Sequence, residues 1–435
     1  MATDALRSQS AAPASAAPRT ETPAPAPRVR CSAHTAPEDI ARRWELLARR
    51  VASETTHGPD HETALADAQT LAQAAAYHGH IENFIGTVKV PVGLAGPLRV
   101  NGLYARGDYY IPLATTEAAL VASYSRGAQL ISEAGGCTAM LVNEGISRAP
   151  GFAFRDLAEC GRFVSWALAH MEAFRRVAEV TTRHGKLRDL RVTIEGNHVY
   201  LHFDYLTGDA SGQNMVTIAT DAVCAYIAQH SPVQPQYAFL EANFSGDKKA
   251  SAQAFGSVRG KKVTAEVSLP AALVHKWLRA TPARMADYWR MGAMGGILSG
   301  TIGAQGHFAN GLAALYIACG QDAACVAESA VGVTRFETTP TGDLYASVTL
   351  PDLMVGTVGG GTSLPSQRAC LDILGLAGPG HAQALAEVCA ALCLAGELSL
   401  VGALCAGSFA RAHQRLARGG ASSANRTSKE AHEHA

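Results

Sequence analysis

The sequence predicts an α+β fold with a small N-terminal helical region, a large and mostly helical part, and a small α+β unit between two stretches of that part. Three observations carry this. Apolar residues recur at helical spacing near the N-terminus, the texture turns to glycine, proline and short apolar runs from Glu82, and a strand, turn, strand pattern stands between helical patterns in the middle.

In chain order, residues 1–35 are rich in Ala, Pro, Ser and Thr and read as a disordered tail, since they hold basic residues but no apolar core of the secretion-signal kind. Ile40, Trp44, Leu47 and Val51, then Leu65, Ala68 and Leu71, form two apolar stripes of a helical region spanning 36–80. Strands and loops follow from 81, then a helix over 117–133. Between 151 and 239, Phe163, Trp166, Ala167 and Met171 mark a helix. The runs 190–194 and 198–203, joined by Gly196-Asn197, mark a hairpin, and another helix starts near Asn214. The chain returns to the large part at about residue 240 and continues to 418, mostly as helices around glycine-rich loops, with a closing helix over 382–416. Residues 419–435 read as a flexible tail, where His432 and His434 are more simply dangling than metal-binding.

The chain has 435 residues, enough for two or three domains, and 37 basic residues balance 37 acidic ones. That balance argues against nucleic acid or an anionic membrane as a main partner. Ten cysteines form no Cys-x-x-Cys and no framework; Cys224, Cys319, Cys370, Cys389, Cys393 and Cys405 sit in apolar stretches and read as reduced thiols of a cytoplasmic protein. Residues 388–407 approach membrane length, but Glu397 and Ser399 interrupt them, which favours a buried helix. His57 and His61 have helical i, i+4 spacing without further ligands, so no metal is expected.

Ile111-Pro112-Leu113-Ala114-Thr115-Thr116-Glu117 sets a carboxylate at an expected helix start, where it is either a cap or an acid. Asp247-Lys248-Lys249, Gly320-Gln321-Asp322 and His413 add an ammonium, a second carboxylate and an imidazole, a set suited to moving protons around a polarised carbonyl. Each also has a structural reading: Lys248 as a solvated loop lysine, Asp322 as a helix N-cap, and His413 as a cation at a helix C-terminus.

The words around these residues resemble the 3-hydroxy-3-methylglutaryl-CoA reductase family. They include Glu82-Asn83-Phe84-Ile85-Gly86, Pro91-Val92-Gly93-Leu94-Ala95-Gly96-Pro97-Leu98, Ala114-Thr115-Thr116-Glu117, Asp247-Lys248-Lys249, Tyr316-Ile317-Ala318-Cys319-Gly320-Gln321-Asp322, Gly356-Thr357-Val358-Gly359-Gly360-Gly361-Thr362 and Ala395-Gly396-Glu397-Leu398-Ser399-Leu400. They run in order from Glu82 to His413.

The resemblance implies NADPH-dependent reduction of the CoA thioester to mevalonate and CoA by two hydride transfers, in a soluble form of the enzyme. It makes Lys248 the group that stabilises the oxyanion, Glu117 the acid of the aldehyde step, Asp322 the carboxylate tuning both, and His413 the proton donor to the departing thiolate. Arg148 would meet the distal carboxylate of the substrate. Asp247 and Lys249 would help hold it, and Asn310, which also suits a turn, would orient the lysine. The unit at 151–239 would be an inserted NADPH-binding domain. Thr182 and Arg183 would lie at the ribose phosphate, and Asp209, Gly212, Asn214, Met215, Gly359 and Gly360 in two glycine-bearing loops around the cofactor. Neither loop is a Rossmann fingerprint. Sites between subunits imply a homodimer or a larger assembly of dimers.

Some positions depart from the family's pattern: Ala118, Tyr124-Ser125, Ser211, Gln213, Cys325, Ser408 and Glu241. Glu241 falls where a small hydroxyl residue would touch the substrate, and a carboxylate there repels an acidic acyl group unless it points away. The alternatives are therefore a family member reducing another acyl-CoA, or a catalytically weak scaffold that keeps the fold.

Overall fold

The computed structural model describes residues 31–51 and 61–407, which form two compact units divided after Thr87. The expected tails, together with His57, Ser408 and His413, lie outside the described residues.

The N-terminal unit contains helices α1 (Pro37–Val51), α2 (His61–Leu65) and α3 (Ala68–Ala72), then a 3-10 turn over Ala74–Tyr77. Ile40 and Trp44 of the first expected stripe are buried. The second stripe is not the one expected: Ala68 and Leu71 face solvent, while Ala66, Thr70 and Ala74 are buried. The reason is a break at Asp67, whose side chain caps α3 through the amide of Thr70 and resets the helical phase. The Glu82–Gly86 word stays with this unit. Phe84 is buried and stacks on Tyr77, the Trp44 indole donates to the carbonyl of Ile85, and Thr87 N donates to Leu65 O.

The second unit opens with β1 (Val92–Gly102) and β2 (Arg106–Ala114), then α4 (Leu120–Glu133) and β3 (Cys137–Arg148). Next come β4 (Gly151–Ala153), α5 (Leu157–Ala169), α6 (Met171–Val180), β5 (Lys186–Glu195), β6 (His198–Leu206), α7 (Gln213–His230) and β7 (Tyr237–Phe239). The hairpin turns at Gly196 as its sequence predicts, with φ +55° at that glycine.

The chain continues through α8 (Gln253–Gly256), β8 (Gly260–Leu269), α9 (Ala271–Leu278), α10 (Pro282–Ser299), β9 (Gly303–Ala304), α11 (Phe308–Ala318) and α12 (Val326–Ser329). It ends with β10 (Gly332–Thr338), β11 (Leu344–Leu353), α13 (Pro365–Leu374) and α14 (Ala382–Cys405). This last third holds more sheet than expected, because β10 and β11 pair with each other and β11 pairs with β8.

The strands join in the order β7-β4-β6-β3-β8-β11-β10-β9, with β1 and β2 attached beside β3, and β5 beside β6. Strand β3 is the junction. Its residues up to Gly145 pair with β8, and Ile146, Ser147 and Arg148 pair with β6 instead. Arg148 therefore stands where one sheet direction gives way to the other.

Helix α14 is long and apolar enough to cross a membrane, yet 89% of its most apolar window is buried within the protein. It packs on α4, α11, β8 and β11. The approach of α4 is close enough that a Cβ on Gly127 would overlap the carbonyl of Ala395. The two carboxylates on α14 are buried but bonded. Glu387 accepts from the amides of Leu103, Tyr104, Ala105 and Leu141, while Glu397 accepts from those of Gly306 and His307, the His307 ring and the Thr334 hydroxyl. All ten cysteines are free, most of them buried.

Candidate active site

Lys248 lies on the turn between β7 and α8, with its backbone in the left-handed region at φ +57°. For a lysine that conformation costs on the order of 1–3 kcal/mol, so its surroundings must hold it there. The turn is closed by Lys249 N donating to Gly246 O at 3.0 Å, and Lys249 Nζ reaches back to Asp247 O at 2.9 Å. Asp247, next to Lys248, has both carboxylate oxygens engaged: Oδ1 lies 2.6 Å from Arg259 and Oδ2 3.1 Å from Arg148.

The ammonium of Lys248 meets Asp322 Oδ2 at 2.9 Å, with both side chains 45% exposed. That bond is the largest influence holding the lysine above its ordinary pKa, against a smaller effect of burial. For Asp322, burial pushes upward, but the bonds from Lys248 and from Ala324 N outweigh it and hold the carboxyl below its usual range. The N-cap reading of Asp322 holds, since the same carboxylate accepts from Ala324 N at 3.0 Å. Capping fixes the acid that faces the lysine.

Glu117 stands exposed in the segment between β2 and α4. It does not cap: the N-cap of α4 is Ala119 in the left-handed conformation, with no side-chain bond, and Thr115 Oγ1 instead accepts from Glu117 N. No hydrogen bond joins the Glu117 carboxylate to Lys248 or Asp322. The Asn310 side chain, on the first turn of α11, is likewise not bonded to Lys248.

Arg148 is nearly closed to solvent, its side chain 7% exposed, and its NH1 lies 3.1 Å from both Glu241 Oε2 and Asp247 Oδ2. Glu241 Oε2 also accepts from Ser245 Oγ at 2.9 Å. The carboxylate that looked repulsive in the sequence is therefore matched by a guanidinium, as a buried charge requires.

Arg259, Glu328 and Gln321 complete the support, and sequence reasoning missed all three. Arg259 binds Glu328 through Nε at 2.6 Å and the Ser147 carbonyl through NH1 at 2.8 Å. Burial is the largest influence on Glu328 and raises its pKa, although Arg259 opposes this. Gln321 Oε1 accepts from Gly356 N at 2.8 Å, so the residue beside Asp322 anchors the second glycine-bearing loop. Gln321 lay within a quoted word; for Arg259 and Glu328 one sequence offers no signal beyond charge in a strand and a short helix.

The two glycine-bearing loops meet. Asp209 O accepts from Thr357 N at 2.8 Å, and a Cβ on Gly356 would come within 2.5 Å of Ser211 N. Gln213 Nε2 reaches Cys325 Sγ at 2.8 Å, which brings the start of α7 beside the Asp322 turn. The Asp209 carboxylate accepts from Gly380 N and Ala382 N and so holds the start of α14. Gly212, Asn214 and Met215 remain at the start of α7, whose N-cap Gly212 makes no side-chain bond and leaves the first amides of an 18-residue helix available to an anion. Gly359 and Gly360 are exposed at positive φ, with nothing within 4 Å of a built Cβ, so a ligand can reach that backbone. Thr182 accepts from the amides of His184 and Gly185 in a tight turn, Arg183 is exposed, and Met215 Sδ would lie 2.7 Å from a Cβ on Gly185. These donors and open glycines suit a phosphorylated cofactor.

The family described as hydroxymethylglutaryl-coenzyme A reductase matches residues 39–418. The 3-hydroxy-3-methylglutaryl-coenzyme A reductase of Pyrococcus horikoshii is 44% identical over 347 residues, covering 78% of this chain and 84% of the relative. That of Aeropyrum pernix is 47% identical over 350 residues, covering 79% and 83%. The solved class II 3-hydroxy-3-methylglutaryl-CoA reductase from Streptococcus pneumoniae bound to NADPH shares the fold with a TM-score of 0.62 and 21% identity, covering 84% of this chain and 96% of that one. With most of the chain matched by the family and by relatives above 40% identity, this protein belongs to the hydroxymethylglutaryl-coenzyme A reductase family.

Proposed function

We propose that this protein reduces 3-hydroxy-3-methylglutaryl-CoA to mevalonate and CoA, through a hemithioacetal and an aldehyde. The observation that carries the reading is the Lys248–Asp322 pair at 2.9 Å, set beside two glycine-bearing loops in a chain of this family. Two NADPH molecules, bound in turn, would each supply one hydride. The start of α7 and Gly359-Gly360 would hold each, with Thr182 and Arg183 at its ribose phosphate, in a small domain over 151–239 inserted into the large acyl-CoA domain, which begins after Thr87 and resumes at about residue 240.

Lys248 polarises the thioester carbonyl and then the aldehyde carbonyl, and its charge stabilises the oxyanion each time. Asp322 keeps that lysine protonated between the two steps. Glu117 is the proton source of the aldehyde step, and His413 protonates the CoA thiolate as it leaves. Asp247, Lys249, Asn310 and Arg148 position the acyl group and the lysine. The protein acts in the cytoplasm as a homodimer or an assembly of dimers with sites between subunits. The exposed apolar residues Met291, Met294, Ile297 and Leu298 of α10 support association.

A second reading, reduction of a different acyl-CoA, is favoured by one contact: Glu241 occupies the Arg148 guanidinium that a substrate carboxylate would need. The test is to mix protein, NADPH and hydroxymethylglutaryl-CoA and identify the product by mass. Mevalonate with two NADPH oxidised per CoA released supports the main reading. Turnover only with thioesters lacking a distal carboxylate supports the second. His413→Gln should impair thioester reduction and spare added mevaldehyde; equal loss on both would remove the thiolate role.

A further inference from the structure

The turn that carries Lys248 in its left-handed conformation rests on a buried polar floor. Asp247 ties the turn to Arg148 and Arg259, and Arg259, 3% exposed, uses Nε, NH1 and NH2 on Glu328, Ser147 and Asp247. Beside this floor is a small cavity lined by Ser147, His202, Ser245, Ser257, Arg259 and Asp352, with about 10 Å³ open to the centre of a water-sized sphere. That is room for about one water molecule.

Two of these residues, His202 and Asp352, are each 3% exposed and carry a buried polar atom with no hydrogen-bond partner, Nδ1 and Oδ1 respectively. His202 Nε2 lies 2.7 Å from Arg191 NH2 and 3.4 Å from Asp204 Oδ1; arginine can only donate, so the shorter contact assigns Nε2 as the acceptor and the ring proton to Nδ1. For Asp352, burial and then the neighbouring Glu328 push the carboxyl well above its ordinary range, against Arg259. A lone donor and a lone carboxyl oxygen thus belong to residues lining one cavity of water size.

We propose that this cavity binds one ordered water between His202 Nδ1 and Asp352 Oδ1, and that Asp352 is a positioning residue for the Lys248 turn. Asp352 lines the same cavity as Arg259, and the bridging water gives its Oδ1 a partner other than the guanidinium, which leaves Arg259 to Glu328, Ser147 and Asp247. A second full charge at that place would compete for the guanidinium and loosen the turn from beneath. The water satisfies the two buried groups without adding charge. The positioning role rests on the reductase reading; the water site does not.

The experiment is a crystal structure of the full chain at a resolution that shows waters, with steady-state kinetics of wild type, Asp352→Asn and Asp352→Leu. Density within hydrogen-bonding distance of both atoms, retained in Asp352→Asn and lost in Asp352→Leu, is the expected result. In kinetics the conservative amide should keep kcat near wild type. The leucine should lower it about tenfold to a hundredfold with KM for NADPH little changed, as for a misplaced catalytic group. A direct bond between His202 and Asp352, or a closed cavity, overturns the water site. A loss of kcat of about tenfold or more in Asp352→Asn overturns the positioning role of an uncharged group here. If leucine fails to fold, the wild-type density and the asparagine variant still decide both points. Absence of hydroxymethylglutaryl-CoA turnover in folded wild type would instead count against the reductase reading.

Discussion

Lys248 Nζ lies 2.9 Å from Asp322 Oδ2, and each partner is fixed by its own backbone: the lysine by a left-handed turn, the aspartate by capping Ala324 N. The pair is half-exposed, which suits a site that must admit substrate. It also means that its importance is chemical more than structural.

Lys248→Ala should therefore abolish reduction of both the thioester and added mevaldehyde, by at least about 100-fold in kcat, the scale of losing a principal oxyanion-stabilising group. Thermal stability should change little, since the ion pair that is lost is half-exposed and alanine keeps the same left-handed backbone. A kcat near wild type on either substrate would dismiss this lysine.

Asp322→Asn should move the alkaline limb of kcat to lower pH, because the bond to Asp322 is the largest reason the lysine pKa is raised. The sign for stability follows from both shifts. The raised lysine contributes below its unfolded value and loses that contribution as pH rises through its folded value. The lowered aspartate contributes above its unfolded value and loses that contribution as pH falls through its folded value. Between about pH 4 and 10 the pair is intact, yet on a half-exposed site it adds no more than about 1 kcal/mol. An unmoved alkaline limb would show that another group controls it.

Glu241→Ser should free one partner of Arg148. If the guanidinium then meets the substrate carboxylate, KM for hydroxymethylglutaryl-CoA falls, while loss of a charge-assisted bond lowers stability by about 1.5–3 kcal/mol. KM titration and urea melts separate these effects. An unchanged KM would mean that Arg148 serves the fold and not the acyl group.

Asp209→Ala should act mainly as the loss of a clasp. Its carboxylate accepts from Gly380 N and Ala382 N, and losing such a cap costs about 1 kcal/mol. The melt should shift, with KM for NADPH following only through the neighbouring Gly356 loop. A large rise in KM at unchanged stability would return Asp209 to direct cofactor contact.

Much of the architecture was legible because local chemistry and tertiary packing agree. The 190–203 hairpin forms around Gly196, α7 starts at Gln213 beside the expected Asn214, and the apolar run after residue 382 is a buried helix. Where the reading failed, a local device redirected the chain. Asp67 broke the second N-terminal helix, and the left-handed Ala119 moved the start of α4 past Glu117. Strands β10 and β11 were missed because their partners, β8 and each other, are distant or unmarked in sequence.

The sequence by itself determined the residue types, their order and the family they belong to, because short words such as Asp247-Lys248-Lys249 and Gly320-Gln321-Asp322 carry their chemistry with them. Only the tertiary structure decided which charges neutralise which. Glu241 was an unmatched carboxylate until Arg148 was found against it, and Asp352 was one carboxylate in an apolar run until its burial beside Glu328 was seen to push its pKa upward. The physical reason is that Coulomb interaction and desolvation depend on distance and surroundings, and β3 brings Arg148 to these partners from about 100 residues away in the chain.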